Sequence, residues 1–101
     1  MFTIVWAYKV LPVKRLEFEK IYSVNGVWVE LFKKGKGYLY TKLIQTDLLF
    51  ENYVTIDYWE SEADYQAFLD QWKDEYEQLD QQCRELTEFE NCLGRFEKSP
   101  P

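Results

Sequence analysis

The sequence predicts an α+β fold: a ferredoxin-like β-α-β-β-α-β sandwich with a four-stranded antiparallel sheet. Three observations carry that expectation. Residues 2–10, 38–44 and 53–59 are rich in β-branched and aromatic side chains and alternate with period two. Apolar residues recur at steps of three and four before Asn25-Gly26 and again after Ser61. Residues 89–96 supply a fourth apolar run to close the sheet. With 101 residues, 47% of them apolar and 19% aromatic, the chain has the material for one core. A single domain over 1–97 is expected, followed by the tail Lys98-Ser99-Pro100-Pro101.

Each element has its own signal. In the first strand Phe2, Ile4, Trp6 and Tyr8 share one face and Val5 and Ala7 the other, so both faces are expected to be buried. Pro12 suits a helix start, and Val13, Leu16, Phe18, Ile21 and Tyr22 form the predicted apolar stripe of the first helix. The run VWVELFKKGKG fits a short helix through Trp28, Leu31 and Phe32, or a strand through Val27 and Val29; helix is the reading taken. Strands two and three are joined by the irregular linker QTDLLFEN. Ser61, with Asp64 three residues on, resembles a capping box and starts the long helix, whose stripe runs through Tyr65, Phe68, Leu69, Trp72, Tyr76, Leu79, Cys83 and Leu86. At ~1.5 Å per residue that span would be about 39 Å long, so a bend or break is expected. Gly94 is the candidate bulge in the closing strand.

Helices on one side of such a sheet leave the other side bare. An apolar sheet face of that size predicts a homodimer through the sheet face, with a second copy as cover.

Composition excludes several functions. Twelve basic against eighteen acidic residues give a net charge of −6, which repels nucleic acid and anionic membranes. The N-terminus has no basic stretch ahead of its apolar run and no stretch of the chain is apolar enough to span a bilayer, so a cytoplasmic protein is expected. Cys83 and Cys92 lack metal or redox spacing, and Cys83 is most simply a small residue of the helix stripe. There is no His, which removes Ser-His-Asp and Cys-His catalysis and His-held zinc or haem. No metal site and no cofactor are expected.

WESEADYQAF after an alternating strand, GKGYLYT entering strand two, and ELTEFENCLGRFE at the end resemble the antibiotic biosynthesis monooxygenase family of the dimeric α+β barrel superfamily. The resemblance implies a dimeric α+β barrel. It also implies a cofactor-independent monooxygenase acting on a small aromatic substrate such as a phenol, quinol or polyketide. The alternatives are a non-catalytic dimeric domain of the same fold that binds a small ligand or regulates, and a structural domain with a filled cavity. In the phenol-to-quinone members a Trp, a Tyr six residues later and an Asn four residues before the Trp belong to the substrate site. Here those positions are Trp59, Tyr65 and Thr55. The haem-degrading members hold haem through a His that this chain lacks.

Oxygen activation without a cofactor needs an ionised, electron-rich substrate, hence a proton acceptor and donors in an apolar pocket. Period two puts Thr55, Asp57 and Trp59 on one strand face, with Tyr65 one turn into the next helix. Asp57 is the candidate base, and Tyr65 and the Trp59 indole are candidate donors to the anion. Trp6, Trp28, Phe32 and Trp72 are candidate walls that bind the substrate. Each also has a purely structural reading: Trp59 and Tyr65 as core, and Asp57 paired with Lys42 across the hairpin.

Overall fold

A computed structural model describes residues 1–97; the expected tail at 98–101 lies outside the described residues. The elements are β1 (Phe2–Val10), a 3-10 turn at Pro12–Lys14, α1 (Arg15–Tyr22), α2 (Val27–Phe32), β2 (Tyr38–Gln45) and β3 (Tyr53–Trp59). They are followed by α3 (Glu62–Gln71), α4 (Lys73–Cys83), a 3-10 turn at Arg84–Leu86 and β4 (Thr87–Glu97). The strands form one antiparallel sheet in the order β2-β3-β1-β4. This is the ferredoxin-like α+β arrangement, with helices on one face.

The central pair β1 and β3 runs in unbroken register, Phe2 opposite Trp59 through Tyr8 opposite Tyr53. Even positions of β1 and odd positions of β3 therefore face the helices together. There they build a core of Phe2, Ile4, Tyr8, Val10, Tyr53 and Trp59 with Phe18, Phe32, Phe68 and Leu86. Trp59 is the centre, at 0% exposure. Phe32, Tyr38, Tyr65 and Phe68 surround it with ring centroids 5.2 to 5.9 Å away. Gly35 belongs to this packing: a Cβ there would lie 2.9 Å from both Phe68 and Trp59.

Ser61 caps α3 as expected, its Oγ accepting the Asp64 backbone N–H at 3.1 Å. The long helix does break. Trp72 leaves helical geometry (φ −112°, ψ 28°) and the chain resumes as α4. A straight helix over the whole stripe would match the longest dimension of the molecule, 39 Å; the break instead keeps Tyr76, Leu79 and Cys83 against the core.

Several expectations need correction. Val13 and Leu16 are 88% and 82% exposed, because the helix opens as a 3-10 turn and only Phe18, Ile21 and Tyr22 turn to the sheet. The closing strand is longer than 89–96, spanning Thr87–Glu97, and its extra residues are Leu93 and Glu88 instead of Gly94: Val5 pairs Gly94 while Trp6 pairs Cys92, and Lys9 pairs Phe89 while Val10 pairs Thr87. Lys42 does not pair with Asp57. It sits opposite Ile56 on the other sheet face, its ammonium over the Tyr40 and Tyr58 rings.

That other face carries no helix. Tyr40, Ile44 and Phe96 are exposed there, beside half-buried Val5, Val54, Ile56 and Tyr58. No helix of the described residues is long and apolar enough to cross a membrane.

Replacing Ser61 by Ala removes the only side-chain cap of α3. Urea unfolding followed by circular dichroism should show a loss of about 1 kcal/mol, with far-UV helicity otherwise kept.

Candidate functional site

The inner face of β3 continues from Trp59 to two polar residues. Asp57 lies opposite Ile4 of β1 and Thr41 of β2, and Thr55 opposite Trp6 and Leu43. Asp57 is 7% exposed and Thr55 is buried beside it. A buried carboxylate on a sheet face is costly unless hydrogen-bonded, and the neighbouring strand supplies the bond. The Thr41 hydroxyl donates to Asp57 Oδ1 at 2.7 Å, and Tyr38 Oη lies 2.7 Å from Thr41 Oγ1. With the Thr41 proton committed to Asp57, Tyr38 is the donor in the second bond. Asp57 Oδ2 has no protein partner among the described residues. On the other side, Tyr8 Oη and Thr55 Oγ1 are 3.0 Å apart and share a hydrogen bond.

These groups line a cavity of about 50 Å³ between the sheet and helices α1, α2 and α4. At roughly 10–15 Å³ per water it has room for several waters. Its deep wall is aromatic: Tyr8, Tyr22, Trp28 and Phe32, with Val29. Thr41, Thr55 and Asp57 are the polar floor. The remaining lining residues, Trp6, Tyr76, Asp80 and Glu90, are the ones that reach solvent, so the cavity opens between α4 and the edge strand β4.

Burial sets the protonation of this cavity. Loss of water pushes the Asp57 carboxyl up to about 6, with the Thr41 bond pulling it partly back. Desolvation drives the Tyr8, Tyr22 and Tyr76 phenols well above their ordinary value, so all three stay protonated donors. Glu90 is also raised, by desolvation first and by Asp80 second, with Arg84 opposing. Arg84 pairs with Asp80 at 3.3 Å.

The structure brings together five of the eight residues expected at the site: Thr55, Asp57, Trp6, Trp28 and Phe32 line the cavity. It separates the other three. Trp59 lies wholly within the aromatic core, its indole N–H without a partner, and does not reach the cavity wall. Tyr65 packs on Phe2 and Trp59 with Arg95 over its ring, towards the other end of β1. Trp72 sits at the helix break under the Lys34 ammonium. Trp59 and Tyr65 are taken up by the aromatic cluster inside α3, leaving α4 to cover the cavity.

Thr41, Tyr8, Tyr22, Tyr76, Asp80 and Glu90 were not expected there. Tyr8 shares the parity of Trp6, and Tyr76 and Asp80 are one turn apart on α4, so these carry a readable signal. Thr41 carries none: a register shift between Tyr38 and Tyr40 reverses the parity of β2, which only pairing reveals. Among the described residues no cluster of His, Cys, Asp and Glu could hold a metal ion.

No protein-family model matches the sequence, and neither does any curated protein. Solved structures do match. A mutant of SnoaB, a cofactor-independent oxygenase from Streptomyces nogalater, superposes with a TM-score of 0.77 at 19% identity, over 99% of this chain and 94% of that one. MhuD, a haem degrader from Mycobacterium tuberculosis, matches in a mutant form at 0.73 and 18% identity, over 100% and 97% of the two chains. A candidate antibiotic biosynthesis monooxygenase from Nitrosomonas europaea matches at 0.70 and 12%, over 97% and 98%.

The raised carboxyl of Asp57 makes a stability prediction. Its folded-state value, about 6, lies above the ordinary 3.8. The contribution of this group to stability is therefore full below about pH 4 and is lost as pH rises through about 6, by roughly 3 kcal/mol in all. Asp57→Asn should remove that part of the pH dependence and be the more stable protein at pH 7.5, as read from urea midpoints across pH.

At such identities the likeness is one of fold, and the chain has the α+β fold of the antibiotic biosynthesis monooxygenases.

Proposed function

We propose that this chain is a cofactor-independent monooxygenase of the antibiotic biosynthesis monooxygenase family, oxidising a small aromatic phenol or quinol in the cavity above Asp57. One observation carries the reading: the carboxylate of Asp57, buried at the floor of an aromatic cavity and raised to about 6, with one oxygen free to take a proton. At pH 7 it is ionised and close to the operating pH, which suits a general base. Likeness of fold to SnoaB, an oxygenase without a cofactor, supports the same reading.

The sequence of events follows from the lining. Asp57 Oδ2 takes the hydroxyl proton of the substrate. For an ordinary phenol with a pKa near ~10 this is uphill by about 5 kcal/mol, small against the barriers enzymes work over. One hydroxyl of the Thr55–Tyr8 pair, whichever keeps its proton free of their mutual bond, and that of Tyr76 can donate to the phenolate oxygen, while Trp6, Trp28 and Phe32 flank the ring and exclude water. The phenolate is the reductant for dioxygen. In the overall change phenol and O₂ give quinone and water: one oxygen atom enters the ring carbon, the other leaves as water with the two hydrogens lost from substrate. Trp59 and Tyr65 act by holding β3 and α3 in place, outside the reacting atoms.

Haem does not fit. The chain has no His to hold the iron.

A second copy completes the assembly in this proposal, a dimeric α+β barrel closed by the bare sheet face. Phe96, 52% exposed, with Tyr40 and Ile44, forms an apolar surface that a partner's sheet would bury. Light scattering at micromolar concentration should give twice the chain mass, and Ile44→Lys should give the single-chain mass with unchanged far-UV spectrum. A monomeric wild type would overturn the dimer.

Oxygen consumption with a panel of phenols, quinols and anthrones tests the activity. Asp57→Asn should lower the active rate by about 100-fold or more, the usual scale for a lost general base. The wild-type rate should rise with pH through a midpoint near 6 as Asp57 ionises. Thr41→Val removes the bond that favours the carboxylate, so it should move that midpoint to higher pH. Rates equal to buffer across the whole panel would remove the proposal.

A further inference from the structure

The polar lining of the cavity is of one sign. Asp57 lies on its floor and Asp80 and Glu90 at its mouth, and no Lys or Arg side chain is part of its wall. Arg84 reaches Asp80 from the exposed side of α4, 3.3 Å away. Arg95, on the inward face of β4, lies over Tyr65, outside the lining. After Arg84 is set against Asp80, Asp57 and Glu90 remain without an ion-pair partner among the described residues. A low-dielectric cavity carrying that charge repels a carboxylate or phosphate and attracts a cation. It also repels the phenolate that the proposed reaction must form, unless the substrate brings its own positive charge.

The distribution is suited to one shape of ligand. The floor offers an acceptor at Asp57 and hydroxyls at Thr55 and Tyr8; the walls are aromatic; the mouth offers two carboxylates beside the Tyr76 and Trp6 rings. A phenol hydroxyl satisfies the floor, and an ammonium satisfies the mouth by ion pairing and by lying over an aromatic face. We propose that the cavity selects single-ring phenols that carry a protonated amine, hydroxyl inward on Asp57 and ammonium outward between Asp80 and Glu90. The proposal rests on the cavity being a substrate site and goes further by assigning the charge of the substrate.

Three probes of similar length and different charge test it: tyramine, para-propylphenol and para-hydroxyphenylpropanoate. Their affinities are measured by isothermal titration calorimetry at pH 7 and low salt. Tyramine should bind at least about tenfold more tightly than the neutral phenol, the scale of one favourable partly buried ion pair, with the propanoate weakest. Added salt should weaken tyramine and leave the neutral phenol nearly unchanged. The pair Asp80→Asn and Glu90→Gln, both at the rim, should bring the three affinities together to within about threefold, with the neutral phenol unaffected.

Equal or tighter binding of the propanoate would overturn the inference, and so would a spread that survives in the double variant. Binding by none of the three would overturn it together with the substrate-site reading. If tyramine binds as expected and no oxygen is consumed, the selectivity stands and the oxygenase reading falls.

Discussion

Trp59 has no surface left for solvent, and the fold is arranged around that fact. Its indole is held by rings from α2, β2 and α3, so one side chain ties β3 to its neighbouring strand and to two helices. A fully buried aromatic of this size is worth several kcal/mol by area alone, at about 25 cal/mol per Å². The cluster forces Gly at position 35, where the chain passes too close for a Cβ. It also consumes the inward face of α3, which is why the cavity forms only where α4 takes over after the Trp72 break.

The site is thus the place where aromatic packing stops. Along β3 the inward positions run Trp59, Asp57, Thr55, Tyr53, and the two polar ones coincide with the cavity floor. Asp57 is tolerated by a hydrogen bond from Thr41 and by the small void above its second oxygen. An apolar residue would pack there at lower free-energy cost, because a buried ionised carboxylate destabilises the folded state at neutral pH. That this residue lowers stability and sits in a cavity with a shifted proton affinity is the ground on which Asp57 is proposed as the base.

Much of this was legible in the chain itself. Strict alternation through residues 53–59 places Thr55, Asp57 and Trp59 on one face, and the structure does so, because β1 and β3 pair without interruption. The element order could be read for the same reason, its signals being local, whereas the break in the long helix could be read from the total span of its apolar stripe. What could not be read was decided by pairing and by competition for space. The extra residue in β2 moves Thr41 to the inner face, and no alternation in YLYTKLIQ shows it. Trp59 and Tyr65 each admit a pocket and a core reading until the positions of Phe32, Phe68 and Gly35 are known. Glu90 has no signal in the sequence that sets it apart from its acidic neighbours, yet the strand carrying it borders the cavity mouth. Val13 and Leu16 continue an apolar stripe that the 3-10 start of the helix rotates away from the sheet.

The irregularities of the sheet are all at its borders. β1 and β3 are regular against each other, whereas β2 slips a residue near Tyr38 and β4 slips twice along its pairing with β1. Each slip bends the outer strand and breaks the even spacing of the backbone groups it presents outward. Another chain arriving edge to edge finds no long straight ladder to extend, and the charged side chains of Glu88, Glu90, Arg95 and Glu97 oppose it further. Growth of the sheet into an open-ended ribbon is discouraged at both ends, which leaves the bare apolar face as the surface where the proposed second copy would sit.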